Sequence, residues 1–128
     1  MTMASINSET FTTRWAEEWN RRDVEAVLEH FHENIVFSSP TALAVVGSPT
    51  VRGKEALRAY WIAALAQISS LRFTVDHTLW DPVRRELAII YISETDGRTR
   101  RVSENLTFDE DGLVINAEVF HGVPGFQA

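Results

Sequence analysis

At 128 residues, 45% of them hydrophobic and 23% charged, the chain has the size and composition of one globular domain with a single core, which excludes the disordered and fibrous classes. Its net charge of −6 opposes binding to nucleic acid and to anionic membranes. The absence of cysteine excludes a disulfide framework, a thiolate nucleophile and a zinc–thiolate site.

We expect a single domain over residues 1–128, in which residues 1–8 form a flexible N-terminal tail. Met1 to Thr10 lack the basic start and the apolar run of a signal peptide. No apolar stretch reaches membrane-spanning length. The sequence therefore predicts a cytoplasmic protein with no membrane partner.

Two helices are predicted before the first strand. The first runs from Glu9 to Arg22, and its apolar residues at helical spacing are Phe11, Trp15, Ala16 and Trp19. Asp23 is a good N-cap for a short second helix that ends near Asn34. The apolar face of this second helix consists of Val24, Val27, Leu28 and Phe31.

A strand, a loop and a third helix follow. Ile35 to Ser38 reads as a short strand, and residues 40–53, with two prolines and two glycines, read as a loop. Within that loop, Leu43 to Val46 is an alternative strand. The third helix runs from Lys54 to Ser69, and its apolar stripe is Leu57, Tyr60, Trp61, Ala64, Leu65 and Ile68.

After Ser70 the hydrophobic period falls to two, which is typical of antiparallel strands. The four predicted strands are Leu71 to Trp80, Glu86 to Glu94, Arg98 to Phe108 and Leu113 to His121. Turn residues separate them at Asp81-Pro82, Asp96-Gly97 and Asp111-Gly112. Helices followed by long strands predict an α+β fold: a cone-shaped half-barrel of three N-terminal helices packed on a curved, mainly antiparallel sheet that encloses an apolar pocket.

One carboxylate falls on an apolar strand face. Alternation places Glu104 on the same face as Val102, Leu106 and Phe108, where burial costs free energy and raises the pKa of a carboxyl. His121 lies on the predicted inner face of the last strand, so the two side chains could share a proton. We therefore name Glu104 and His121 as candidate catalytic residues. The alternative is a structural hydrogen bond inside a filled core.

The remaining strand positions sort into two faces. His77 is predicted on the inner face, where a structural histidine is the more common case and a second acid–base group the alternative. The inner face of the first long strand is Phe73, Val75, His77 and Leu79, and that of the last is Leu113, Ile115, Ala117, Val119 and His121. The outer face is unusually apolar, which predicts a homodimer packed sheet to sheet. Its apolar residues are Trp80, Ala88, Ile90, Ile92, Val114 and Phe120.

The other histidines and the arginines are weaker evidence of a functional site. His30 and His32 flank the end of the second helix and read as structural. No arrangement of the four histidines has the spacing of a metal site, so neither a metal nor a cofactor is predicted. The arginines at positions 98, 100 and 101 follow a tight turn and are typical of a solvated strand end. A gate for an anionic ligand is the alternative.

Several segments together resemble a known family. They are Arg14 to Asp23, Val27 to Phe31, Val36-Phe37, Ser39-Pro40, Gly53 to Arg58 and the hairpins that end in Asp111-Gly112. This pattern is similar to the SnoaL-like and ketosteroid-isomerase-like proteins of the nuclear transport factor 2-like superfamily. The resemblance implies a conical α+β barrel, a pocket for a small hydrophobic organic ligand and frequent homodimers. Because that superfamily includes isomerases, cyclases, epoxide hydrolases, dehydratases and proteins with no known reaction, it does not fix the chemistry.

The resemblance also implies positions for a steroid isomerase site. The aspartate base falls on Ser39, the oxyanion-hole tyrosine on Trp15, and a supporting tyrosine on or beside Trp61. The protonated aspartate falls on Glu104, where a longer acid could donate the same hydrogen bond. No set of residues matches the Asp-Arg-Asp site of the epoxide hydrolases. The expected ligand-binding residues are Trp15, Trp19, Phe37, Ser39, Trp61, His77 and Tyr91, although a core position is the more common case for Trp19.

Overall fold

The computed structural model describes residues 3–124, in which helices pack against one curved, unclosed sheet of six strands. The helices are α1 (Ser8–Asn20), α2 (Val24–Leu28), α3 (Pro40–Val46) and α4 (Lys54–Ala66). The strands are β1 (Phe31–Ser38), β2 (Thr50–Arg52), β3 (Leu71–Asp81), β4 (Glu86–Thr95), β5 (Arg98–Phe108) and β6 (Val114–His121). The predicted α+β class and mainly antiparallel sheet are confirmed.

The sheet has the strand order β2-β1-β6-β5-β4-β3. Every neighbouring pair is antiparallel except β1 and β6, which run parallel. Hairpins join β3 to β4 and β4 to β5, as the turn residues predicted. The parallel pair places the N-terminal strand β1 between β2 and β6, so the helices that flank it cover the inner face.

Capping residues fix where the first two helices begin. The side chain of Asn7 accepts a hydrogen bond of 2.9 Å from the Thr10 N–H at the start of α1. Asp23 caps α2 by accepting one of 3.1 Å from the Ala26 N–H, as predicted. The second helix ends at Leu28, however, so its predicted extension through Phe31 to Asn34 is wrong. Phe31 instead pairs with Val114 as the first residue of β1.

The segment predicted as a loop contains a helix and a strand. Ser39 caps α3, Pro40 occupies its first turn, where the fixed φ of proline suits a helix, and Gly47 ends it with a φ of 79°. Leu43 to Val46 is therefore helical, and the alternative of a strand there is wrong. The sequence analysis also missed β2, a three-residue strand that pairs with β1. Prolines and glycines here mark the ends of short elements.

A bulge in β3 reverses the predicted faces of its second half. Val75 pairs with Tyr91 but His77 pairs with Ile90, so Asp76 is an extra residue in the ladder. One extra residue moves every later side chain to the opposite face. Leu79, predicted inside, is 61% exposed, whereas Trp80, predicted outside, packs against Phe108 with ring centroids 5.9 Å apart.

A second irregularity lies at the start of β6. Thr107 pairs with Asn116 and Phe108 with Val114, which leaves Ile115 as the extra residue. Val114 is consequently buried, although it was predicted on the outer face. Beyond the bulge the alternation holds, because Ala117 and Val119 are buried as predicted.

One continuous core fills the space between the sheet and the helices. Its largest fully buried side chains include Trp15, Phe31, Leu28, Ile35 and Leu57. None of the helices in residues 3–124 has the length and hydropathy of a membrane-spanning segment.

The segment before α1 touches the far end of the sheet. The Ala4 N–H donates to the Glu110 carbonyl at 2.8 Å, and Arg85 donates to the Ala4 carbonyl at 2.9 Å. The flexibility of residues 1–8 stays a prediction, and these contacts argue against it for the residues near Ala4. Residues 1 and 2 lie outside the described part of the chain.

Candidate functional site

A cavity of about 280 Å³ lies between the inner face of the sheet and α4. Its wall is mainly aromatic, and the aromatic residues that border it are Trp19, Phe37, Tyr60, Trp61, Phe73 and Tyr91. These rings support one another edge to face. Trp19 and Trp61 have centroids 4.8 Å apart, and Phe37 and Trp61 have centroids 5.6 Å apart. Such rigid, flat walls suit a planar or ring-shaped apolar molecule.

Glu104 is the acid on this wall. It lies on the inner face of β5, where Ile89 of β4 and Val119 of β6 are its direct cross-strand neighbours, and only 5% of the residue is exposed. The Tyr91 hydroxyl donates a hydrogen bond to its Oε1 at 3.4 Å, a long distance for such a bond. Its other oxygen, Oε2, is buried and has no partner within residues 3–124.

The surroundings of Glu104 disfavour the ionised form of its carboxyl group. Burial raises the pKa of Glu104 from 4.5 to about 7. The nearby Tyr91 hydroxyl and Trp15 indole oppose that rise, although Nε1 of Trp15 makes no hydrogen bond of normal geometry. A carboxyl with a pKa near 7 is present in both protonation states at neutral pH. It can therefore accept a proton or donate one.

A second polar group of the cavity centres on Tyr60, one residue before Trp61 on α4. Burial raises the pKa of Tyr60 to about 12, Glu104 adds to the rise, and the nearby Ser39 and Thr41 hydroxyls oppose it. The phenol is therefore a hydrogen-bond donor at neutral pH. Ser39 also borders the cavity, and its Oγ accepts the Thr41 N–H at 3.2 Å. The hydroxyl of Ser39, the position expected for the aspartate base, thus caps α3.

His121 borders the same cavity but does not pair with Glu104. Arg100 donates a hydrogen bond of 2.6 Å to Nδ1 of His121, and no hydrogen bond joins the imidazole to Glu104 in the described structure. Burial, and then the charge of Arg100, lower the pKa of His121. Because an arginine always donates, Nδ1 is the acceptor and the ring proton lies on Nε2. At neutral pH the ring is an uncharged donor.

The structure does not bring every expected ligand-binding residue to the cavity. Those that border it are Trp19, Phe37, Ser39, Trp61 and Tyr91. Trp15 is fully buried behind them, with its ring 5.7 Å from Phe73 and 5.1 Å from Tyr91. His77 was expected on the inner face, but the bulge at Asp76 places it outside, half-exposed and 3.0 Å from the Asp76 carboxylate. It lies away from the cavity.

The expected site residues left out several polar residues that border the cavity, among them Tyr60 and the two arginines for which a gate was only the alternative. Tyr60 was assigned to the apolar stripe of its helix. The resemblance to the steroid isomerases had placed a site tyrosine on or beside Trp61, and that position could have identified Tyr60. Arg98 and Arg100 also border the cavity. Alternation along β5 places both on the same face as Glu104, which was the signal available for them.

Histidine, aspartate and glutamate side chains form no metal-binding group of three or more within residues 3–124. The polar groups on the cavity wall are one carboxyl, two phenols, hydroxyls, an imidazole and two guanidinium groups. These groups can hold hydrogen bonds and move protons.

The fold and site define a conical α+β protein whose helices and sheet surround an aromatic cavity with one buried acid. Residues 12–116 match the family model for the SnoaL-like domain, and the chain belongs to that family. The predicted resemblance is confirmed. No sequence among the curated proteins matches the chain.

Solved structures share this fold. A SnoaL-like protein of unknown function from Burkholderia thailandensis is 29% identical and aligns over 96% of this chain and 100% of its own, with a TM-score of 0.82. An NTF2-like protein of unknown function from Cytophaga hutchinsonii is 14% identical over 93% of both chains, with a TM-score of 0.69. A steroid delta-isomerase from Pseudomonas aeruginosa is 18% identical over 96% of this chain and 85% of its own, with a TM-score of 0.70. The last two likenesses concern the fold alone.

Proposed function

We propose that the protein binds a small hydrophobic organic molecule in the aromatic cavity and catalyses a proton transfer on a carbonyl compound there. One observation carries the proposal: Glu104 is buried beside the cavity, and one of its oxygens has no hydrogen-bond partner in the described part of the chain. Natural proteins pair their buried polar atoms, so an unpartnered carboxylate oxygen in an apolar cavity suggests a missing partner. A ligand supplies that partner.

In this proposal Glu104 carries the proton. Its carboxylate form removes a proton from the carbon next to the carbonyl group. The resulting acid returns the proton to that carbon or, where the ligand is a β,γ-unsaturated ketone, to the γ-carbon of the dienolate, which moves the double bond into conjugation. A group with a pKa near the working pH serves both steps. The net reaction is an isomerisation or an exchange with solvent, and no further reactant is needed.

Tyr60 supports the same chemistry as a neutral donor. As the carbon loses its proton, negative charge develops on the carbonyl oxygen, and a fixed hydroxyl donor stabilises it. The raised pKa of Tyr60 keeps its proton in place. His121, named with Glu104 as a candidate catalytic residue, is proposed here as a donor from Nε2 to the ligand because Arg100 occupies Nδ1.

The experiment is hydrogen–deuterium exchange on 2-tetralone, a planar apolar ketone, followed by NMR in deuterated buffer. We expect exchange above the buffer rate, and Glu104→Gln should remove about 100-fold or more of the enzyme-dependent rate. Tyr60→Phe should reduce it by less. Arg52→Gln is the matched surface control, since Arg52 is exposed and does not border the cavity. Equal exchange by the native protein and Glu104→Gln would contradict the catalytic role.

A non-catalytic ligand-binding domain is the second candidate. Ser39 favours it, because Ser39 occupies the expected base position and its hydroxyl is engaged at the start of α3. On this account the native protein binds 2-tetralone, as tryptophan fluorescence would detect, while its exchange rate equals that of buffer. The two measurements on one sample separate the candidates.

We also propose a homodimer packed through the outer sheet face. Corrected for the two bulges, the apolar residues of this face are Leu79, Ala88, Ile90, Ile92 and Phe120. Phe120 and Leu79 are 48% and 61% exposed. Light scattering should give the mass of a dimer, and Ile90→Lys should give a monomer. Val83→Lys, in the β3–β4 turn, should leave the dimer intact.

A further inference from the structure

Along the β4–β5 hairpin, the cavity wall changes from apolar to polar towards the turn. The cross-strand pairs on its inner face are, in order towards the turn, Tyr91–Val102, Ser93–Arg100 and Thr95–Arg98. Glu104 lies on the same face, further from the turn. Exposure rises along the same line. Val102 and Glu104 are buried, Arg100 is half-buried and Arg98 is exposed. The outer end of an aromatic cavity therefore carries two guanidinium groups and two hydroxyls.

Neither guanidinium group is neutralised by the protein. Within residues 3–124, the side chain of Arg98 makes no hydrogen bond or ion pair, and the side chain of Arg100 donates only to the uncharged His121. The one carboxyl on the cavity wall, Glu104, is bonded to Tyr91 at the inner end. Two unneutralised cations at the rim of a low-dielectric cavity attract an anion.

The protein fixes this rim in place. The turn at Asp96 and Gly97 has φ values of 49° and 80°, which suit a tight hairpin. The Asp96 carboxylate accepts the N–H groups of Ser69 and Ser70, both at 2.9 Å, and so ties the hairpin tip to the segment after α4. The arginines that flank this turn are held over the cavity. A solvated strand end needs no such anchor.

We propose that the natural ligand is an amphipathic organic anion, with its carboxylate or similar oxyanion group at Arg98 and Arg100 and its apolar carbonyl-bearing body in the aromatic cavity. Arginine donates in a planar fork that matches an oxyanion, and a bound anion completes the hydrogen bonding of both guanidinium groups. The inference rests on the proposed ligand-binding function and adds the charge and orientation of the ligand.

Two fluorescent probes with the same ring body test it. 1-Anilinonaphthalene-8-sulfonate carries an anionic group, and N-phenyl-1-naphthylamine lacks one. The native protein should bind the anionic probe more tightly, and Arg98→Gln and Arg100→Gln should each weaken it about tenfold while leaving the neutral probe unchanged. Added salt should weaken only the anionic probe. Arg52→Gln should change neither.

The outcomes separate the two proposals. Equal affinities for both probes, unaffected by the arginine substitutions, would overturn the anion proposal while leaving the cavity as a binding site. Binding of neither probe would overturn both. A loss of anionic binding in Arg52→Gln equal to that in Arg98→Gln would also overturn the anion proposal, because it would assign the effect to net charge. Urea unfolding of each variant is the control that checks whether it is folded under the assay conditions.

Discussion

Tyr91 and Glu104 face the same cavity from neighbouring strands, and the Tyr91 hydroxyl donates to Oε1 of Glu104 at 3.4 Å. Tyr91 pairs directly with Val102 and Glu104 with Ile89, so the two polar groups lie one inner-face position apart on the diagonal. Within residues 3–124 the carboxyl receives this one hydrogen bond, the Trp15 indole lies nearby without forming a second, and the direct cross-strand neighbours Ile89 and Val119 are apolar. This environment gives Glu104 its raised pKa, and the next two predictions depend on it.

The stability of the protein should depend on pH through Glu104. Its pKa is 4.5 in the unfolded chain and about 7 in the folded one, so the folded state holds the proton more tightly. The stability contributed by this proton is fully present below pH 4.5 and is lost as the pH rises through 7. Between these values the free energy of unfolding of the native protein, relative to Glu104→Gln, should fall by about 3 kcal/mol. Urea unfolding at several pH values measures the difference. A difference that does not change with pH would contradict the burial of an ionisable group at this position.

Removing the Tyr91 hydroxyl should raise the pKa of Glu104 further. The hydrogen bond from Tyr91 stabilises the carboxylate and lowers the pKa, so Tyr91→Phe leaves burial less opposed. Carbon NMR of the glutamate side chains, assigned with Glu104→Gln, would report the titration. Tyr60→Phe is a matched control that removes a phenol from another wall of the cavity and should move the pKa of Glu104 less. A lower pKa in Tyr91→Phe would refute the assigned direction of this bond.

Replacing Arg100 should raise the pKa of His121. The positive charge of Arg100 disfavours a second positive charge on the imidazole, and Arg100→Gln removes it. Burial is the larger cause and persists, so the pKa should stay below 6.5. Proton NMR of the ring resonances follows the titration. Arg52→Gln should have no comparable effect, and an unchanged pKa in Arg100→Gln would show that the Arg100–His121 contact does not form in solution.

The anchor of the hairpin tip should be measurable as stability. Asp96→Ala removes the acceptor of two backbone N–H groups and places alanine at a positive φ, so we expect the midpoint of urea unfolding to fall to a lower urea concentration. Asp96→Asn retains an acceptor oxygen and tolerates this backbone conformation, so it should lose less. Urea unfolding of both variants gives the comparison. Equal stability of Asp96→Ala and the native protein would show that the tip is not anchored.

The placement of Glu104 was predictable because burial in β5 alternates without interruption from Arg101 to Phe108. His77 was misplaced for the opposite reason. A bulge at Asp76 adds one residue to β3, and nothing in the local pattern distinguishes that aspartate from an ordinary outward-facing residue. Bulges depend on how the whole sheet curves, which a single strand does not encode.

Other parts of the site needed the tertiary structure. Tyr60 and Trp61 are adjacent on α4, and both border the cavity. The rotation of the helix against the sheet determines which of its residues face the cavity. Arg98 and Arg100 were interpreted as part of a solvated strand end because they follow a tight turn. Alternation puts them on the same face as Glu104, but the position of their end of the hairpin also depends on the hydrogen bonds between Asp96 and the segment after α4, which join residues 26 and 27 positions apart.

The central claim is that Glu104 is a buried carboxyl able to exchange a proton near neutral pH, and its own titration tests this most directly. Carbon NMR of the Glu104 side-chain carboxyl in the folded protein, with Glu104→Gln for assignment, should give a pKa of about 7. A value near 4.5, the pKa of an ordinary glutamate, would contradict the account and remove the reason for assigning Glu104 a catalytic role.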